Sequence, residues 1–160
     1  MEWSEQDPSN CSVGRTADIV GKPWVLVILR ELFRGLRRFD EIQEHLGVSA
    51  PMLARRLDFL VECGLLVRRP YRLPGRRERH EYHLTPAGQD LFPILAALHE
   101  WGDAHLADPA GPATTYRHRG CGADVRLQLS CTRGHTLTAG AEEVLPEPGP
   151  GARPRHAQRR

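Results

Sequence analysis

The feature that most constrains this 160-residue chain is a pair of short amphipathic segments, joined through a glycine and followed by an arginine-rich hairpin pattern. Phe39–Leu46 (FDEIQEHL) places Phe39, Ile42 and Leu46 at spacings of three and four, a helix with one apolar face. Gly47 ends it. Ser49 stands where an N-cap belongs, and Ala50–Cys63 follows with Leu53, Leu57, Leu60 and Val61 as its apolar stripe. Gly64 closes that helix. Leu65–Leu73 and Arg79–Leu84 read as extended segments about the turn dipeptide Pro74-Gly75. Two helices on a glycine turn make a helix-turn-helix, and the hairpin behind it makes a wing.

The flanking segments supply the core for this unit. Val13–Val20 fits a short helix, interrupted by Gly21-Lys22-Pro23. Pro23–Phe33 (PWVLVILRELF) is apolar on nearly every face, which marks a central helix begun at Pro23, with Trp24, Leu29 and Leu32 in the core. Thr85-Pro86 is a helix start, and Gln89–Leu106 follows with Leu91, Ile94, Leu95, Leu98 and Trp101 at helical spacing. Pro93 inside it predicts a kink. Trp101 fits core packing and a dimer contact about equally. The fold class is therefore α+β, a winged helix-turn-helix with N-terminal and C-terminal dimerisation helices. Residues 1–10 read as a disordered N-terminus, 11–107 as the winged domain, 108–145 as a small Cys/His-containing appendage, and 146–160 as a disordered, low-complexity tail.

Several classes are excluded. The longest apolar run, Trp24–Leu29, has six residues, far from the roughly 18 of a membrane span. MEWSEQDPSN has neither the basic nor the apolar region of a secretion signal. A cytoplasmic location follows, where Cys11, Cys63, Cys121 and Cys131 are expected as thiols or metal ligands. No P-loop, G-x-S-x-G, H-E-x-x-H or dinucleotide-binding glycine pattern occurs, so the chain does not read as an enzyme.

The net charge of +2 says little, but its placement says more. Between Val67 and His80 six arginines face one acid, Glu78, the pattern of a polyanion contact or a solvated loop. The second helix of a helix-turn-helix enters the DNA major groove, and its first turns here present Ser49, Ala50, Met52, Arg55 and Arg56. Arg76, Arg77 and Arg79 on the wing reach the backbone or minor groove, and Arg38 completes the candidate set. Arginine suits both tasks, because its planar fork pairs with phosphate or with guanine. The long last helix is apolar on one side with no partner left in so small a domain. Its natural use is to dimerise, placing two recognition helices about 34 Å apart.

At this point the residues resemble the HxlR-type winged helix-turn-helix transcriptional regulators, which are MarR-like. RRFDEIQ, MLARRLDFL, GLL and EYHLTPAG occur in one order, and the resemblance covers about residues 11–103. It implies a homodimeric repressor or activator that reads an inverted repeat near a promoter. Two departures stand out. The family's Gly-Gly-Lys-Trp is Gly21-Lys22-Pro23-Trp24 here, and its Ser-Pro-Lys-Met-Leu is Ser49-Ala50-Pro51-Met52-Leu53. The family's lysine is absent, so base specificity does not transfer.

Cys11 aligns with the N-terminal cysteine of the family pattern, which some relatives use to sense oxidants or electrophiles; the rival reading is an inert cysteine. Cys63 reads as semi-buried and inert. His118-x2-Cys121 and Cys131-x3-His135 offer four ligands of zinc-ribbon type, so zinc is the one cofactor the sequence suggests, against a degenerate ribbon folded without metal or bridged by a Cys121–Cys131 disulfide. The rival to sequence-specific DNA binding is a winged-helix protein-interaction module. The effector is not encoded in any motif.

Overall fold

The computed structural model describes residues 5–106, 108–138 and 140–155. Residues 1–4 and 156–160, which belong to the segments expected to be disordered, lie outside them. The described residues form two compact units, one within 22–127 and the other of 5–21 with 128–155.

The larger unit is built on α2 (Val25–Arg34), α3 (Phe39–Leu46) and α4 (Ala50–Glu62). Strands β1 (Leu66–Tyr71) and β2 (Arg79–Leu84) follow, then α5 (Pro86–Gln89) and α6 (Phe92–Leu106). α1 (Ser12–Val20) belongs to the other unit. The strands pair antiparallel from Leu66 opposite Leu84 to Tyr71 opposite Arg79. The segment before α3 adds a further rung, with Tyr82 N donating to Arg37 O at 2.8 Å. This is an α+β winged-helix arrangement, helices with a small two-stranded sheet.

Val25, Ile28, Leu29 and Leu32 of α2 meet Ile42 of α3 and Leu53, Leu57 and Leu60 of α4 in the core, all fully buried. Leu65, Leu66, Tyr82, Leu95 and Ala96 extend it. Each such leucine is worth about 1.5–3 kcal/mol of transfer free energy, so this stripe is what holds the two short helices in place.

Three expectations are corrected. Trp24 is not in the core but 43% exposed. It precedes α2 at φ 73°, in the left-handed region, and this turn of the backbone takes it off the helix's apolar stripe. The helix accordingly starts at Val25 and not at Pro23. Pro93 does not kink a continuous helix. The chain breaks at Asp90–Leu91, and Pro93 falls in the first turn of α6, where its missing N–H costs nothing.

In the smaller unit the low-complexity tail runs beside the N-terminal segment. Asp7 N donates to Arg153 O at 2.9 Å, and Asn10 Nδ2 to Gly151 O at 3.1 Å.

Candidate nucleic-acid interface

The start of α3 is fixed by Glu41, whose Oε2 accepts from the backbone N–H groups of Arg38 at 3.2 Å and Arg37 at 3.4 Å. Gly47, at φ 63°, supplies the left-handed residue that ends α3 and turns the chain into α4. Ser49 holds the N-cap position of α4, yet its hydroxyl makes no capping bond. Pro51 explains part of this, since it removes one of the two backbone donors an N-cap side chain serves.

The N-terminal half of α4 presents what the sequence suggested. Ser49, Ala50 and Arg55 are exposed, and Met52 is half-buried. Arg56 is already engaged: its Nε donates to Pro23 O at 3.0 Å. Lys22 lies 4.9 Å from the centre of the Phe59 ring, so α4 clasps the turn before α2 at two points. At the wing tip Gly75 takes φ 73° and Arg76 N closes the turn on Leu73 O at 3.0 Å. Arg76 and Arg77 are exposed there. Arg55, Arg76 and Arg77 form no ion pair among the described residues.

The remaining arginines of the set are tied down. Arg79 Nη1 lies 3.1 Å from Asp40 Oδ2, joining the wing to α3. Arg38 Nε lies 3.2 Å from Glu81 Oε1, and its guanidinium sits 4.6 Å from the centre of the Tyr71 ring. The hydrogen bond from Arg38, aided by His83, holds the Glu81 carboxyl below its ordinary value. Arg68, counted in the basic cluster, bonds Asp58 of α4.

Sequence reasoning missed Glu31, the one charged residue among the described residues that is fully buried. Its Oε1 accepts from Arg30 Nε at 2.7 Å and Arg34 Nη1 at 3.3 Å. Its Oε2 lies 2.9 Å from His45 Nδ1, a close approach without hydrogen-bond alignment. The signal was present as an acid flanked by arginines inside an apolar helix.

All four cysteines are free thiols. Cys11 is exposed and caps α1, its Sγ accepting from Gly14 N at 3.5 Å. Cys63 is half-buried at the end of α4. His118 and Cys121 meet in a tight turn, with Nδ1 3.3 Å from Sγ and Gly122 N on His118 O at 2.8 Å. Cys131 and His135 form a second turn, closed by Cys131 N on His135 O at 2.9 Å. Backbone amides, Arg133's first and then His135's, hold the Cys131 thiol below its ordinary value. Among the described residues no three His, Cys, Asp or Glu side chains come together as a metal site. No described helix is long and apolar enough to cross a membrane.

The HxlR-like helix-turn-helix family model matches residues 19–109. An uncharacterized HTH-type transcriptional regulator of Mycobacterium tuberculosis is 48% identical over 141 residues, which cover 88% of this chain and 87% of that protein. The crystal structure of PA1607, a candidate transcription factor, matches with a TM-score of 0.76 at 36% identity, over 87% of this chain and 95% of its own. The redox regulator HypR in its reduced form matches with a TM-score of 0.52 at 29% identity, over 57% of this chain and 90% of its own.

Proposed function

Since the chain belongs to the HxlR-like helix-turn-helix family, as a DNA-binding transcriptional regulator and not an enzyme, we propose that it acts as a homodimer on an inverted-repeat operator. The observation that carries this reading is the exposure of Ser49, Ala50 and Arg55 on α4 together with unpaired Arg76 and Arg77 at the wing tip. In this reading α4 enters the major groove, where Ser49, Ala50, Met52, Arg55 and Arg56 face base edges and phosphates. The wing arginines contact the backbone, with Arg79 and Arg38 fixing the wing's position through Asp40 and Glu81.

The partner surface is the outer face of α6, where Ile94 and Trp101 lie two helical turns apart and stand exposed, Trp101 by 57%. A stripe of this kind at the end of a regulator domain calls for a second copy of itself. α1, which buries none of its residues, contributes a further dimer surface. The protein acts in the cytoplasm, as a repressor or an activator.

HypR is a redox regulator. By analogy, Cys11 is the residue through which oxidants change operator affinity, supported by its exposure and its place at the cap of α1.

The test is fluorescence anisotropy of the reduced protein on DNA from upstream of its own gene, against scrambled DNA, over a salt series. Tight, sequence-preferring binding that weakens steeply with salt is expected. Absence of binding at low salt would overturn the reading in favour of a protein-interaction module.

A further inference from the structure

A cavity of about 340 Å³ lies within the larger unit between α2, α6 and the segment that follows α6. It is unrelated to the DNA-facing arginines. Leu26 and Val27 of α2 and Leu95 and Leu98 of α6 give it apolar sides. Arg30 and Arg34 line it on the α2 side. The third wall carries Thr114 and Tyr116, which lie beyond residue 109, where the family match ends.

That wall is built, not draped. Tyr116 packs edge-on against Phe92, with centroids 5.3 Å apart, and against His99 at 4.8 Å. Leu127 N donates to Glu100 Oε1 at 2.7 Å, tying the segment back to α6. Thr114 Oγ1 accepts from Arg34 Nη2 at 2.6 Å, so one cationic group is aimed across the cavity.

The charges favour an anion. Two guanidinium groups share one buried carboxylate, Glu31. Of the charged side chains that line the cavity, two are these arginines and one is an acid, Asp103, 3.3 Å from His99. The two guanidinium groups stand beside apolar walls and an aromatic ring. Cavities of this size take small ligands of one or two rings.

We propose that this cavity binds a small arylalkanoic acid, with its carboxylate on Arg30 and Arg34 and its ring between Leu95, Leu98 and Tyr116. Glu31 carries the consequence. It shares both arginines with the ligand and also reaches His45 on α3, the first helix of the helix-turn-helix. A carboxylate that draws Arg30 and Arg34 toward itself weakens their hold on Glu31 and so shifts the support of α3. That regulatory consequence rests on the DNA-binding reading, whereas ligand binding does not.

Calorimetry without DNA tests the site, using phenylacetate and its neutral isostere phenylacetamide as probes. The acid is expected to bind about tenfold tighter than the amide, the difference a charge-assisted pair makes. Arg34→Gln should erase that preference. Gly102→Leu should abolish binding of both, because Gly102 lines the cavity and a Cβ there meets nothing within 4 Å. The second variant removes no ion pair and improves helix propensity, so it decides the matter if Arg34→Gln fails to fold. Equal affinity for acid and amide, no heat at millimolar ligand, or unchanged binding in Gly102→Leu would each overturn the assignment. An operator assay that fails while phenylacetate still binds counts against the DNA reading alone.

Discussion

Arg38 at the start of α3 and Glu81 on β2, 43 residues apart, are joined by a 3.2 Å ion pair and by an isolated backbone bridge. The wing is thereby locked to the front of the helix-turn-helix. Arg79–Asp40 makes a second such tie, and Arg68–Asp58 anchors β1 to α4. A wing held at three points carries its tip at a set distance from the recognition helix.

Glu81 makes that lock sensitive to acid. Its carboxyl is depressed by Arg38 first and by His83 after it. A depressed carboxylate stabilises the fold fully above its unfolded-state value, near 4.3, and the benefit is lost as pH falls through the lower folded value. Glu81→Gln should therefore lower Tm at pH 7, and the gap from the parent should narrow as pH falls below the unfolded-state value, near 4.3. Melting curves from pH 7 downward check it; a gap that does not narrow in acid would contradict the assignment.

Gly88 sits where no side chain fits. A Cβ there would stand 2.2 Å from Leu65 O and 3.1 Å from Leu84 Cδ2. Leu65 O cannot retreat freely, since it accepts from Thr85 N at 3.0 Å and from Thr85 Oγ1 at 3.2 Å. Gly88→Ala should destabilise the domain by about 1–3 kcal/mol or more, through overpacking at the junction of wing and α5. Urea denaturation measures it. An unchanged midpoint would show that the Leu65 carbonyl gives way.

Much of this fold was legible because it is local. Phe39, Ile42 and Leu46, then Leu53, Leu57 and Leu60, declare two helices by spacing, and β2 occupies the residues its pattern marked. What escaped was long-range. Nothing near Arg79 in sequence announces Asp40, and nothing near Arg38 announces Glu81, so arginines read as free DNA contacts turned out to have protein partners. Trp24 was misread because periodicity assumes right-handed backbone, and its φ of 73° does not comply. Glu31 was hidden by its own helix: an acid in an apolar run looks solvent-facing until His45 of another helix is found against it.

Cys11 separates packing from chemistry. As an N-cap its sulfur is a weak acceptor, 3.5 Å from Gly14 N. Serine is a better cap, so Cys11→Ser should leave α1 intact or raise stability by about 0.5 kcal/mol. If Cys11 is the redox sensor, peroxide should change operator affinity in the parent protein and not in Cys11→Ser. Equal responses in both would assign any redox effect to another cysteine.

The two Cys/His turns are each closed by their own backbone hydrogen bonds, Gly122 N to His118 O at 2.8 Å and Gly134 N to Cys131 O at 2.9 Å. A fold held by such bonds does not need a metal to form. A chelator should therefore leave the circular dichroism and Tm of the purified protein unchanged. A drop of several degrees that zinc restores would show that the turns close around the metal after all.

Arg55 and Arg77 offer the sharpest division of labour at the DNA surface. Both are exposed and without an acid partner among the described residues, but one stands on the recognition helix and the other at the wing tip. A base contact made by Arg55 is worth about 1–3 kcal/mol and is lost only on the preferred sequence. A phosphate contact made by Arg77 is lost on every sequence, together with one released counterion. Arg55→Ala should thus weaken operator binding while leaving scrambled DNA nearly unaffected. Arg77→Ala should weaken both alike and reduce the salt slope by about one. Arg56 is a poorer probe, because its bond to Pro23 O mixes a structural effect into any binding loss. Anisotropy titrations of both variants on both DNAs measure the four affinities. If the two substitutions prove interchangeable, the placement of α4 in the groove and of the wing on the backbone is wrong.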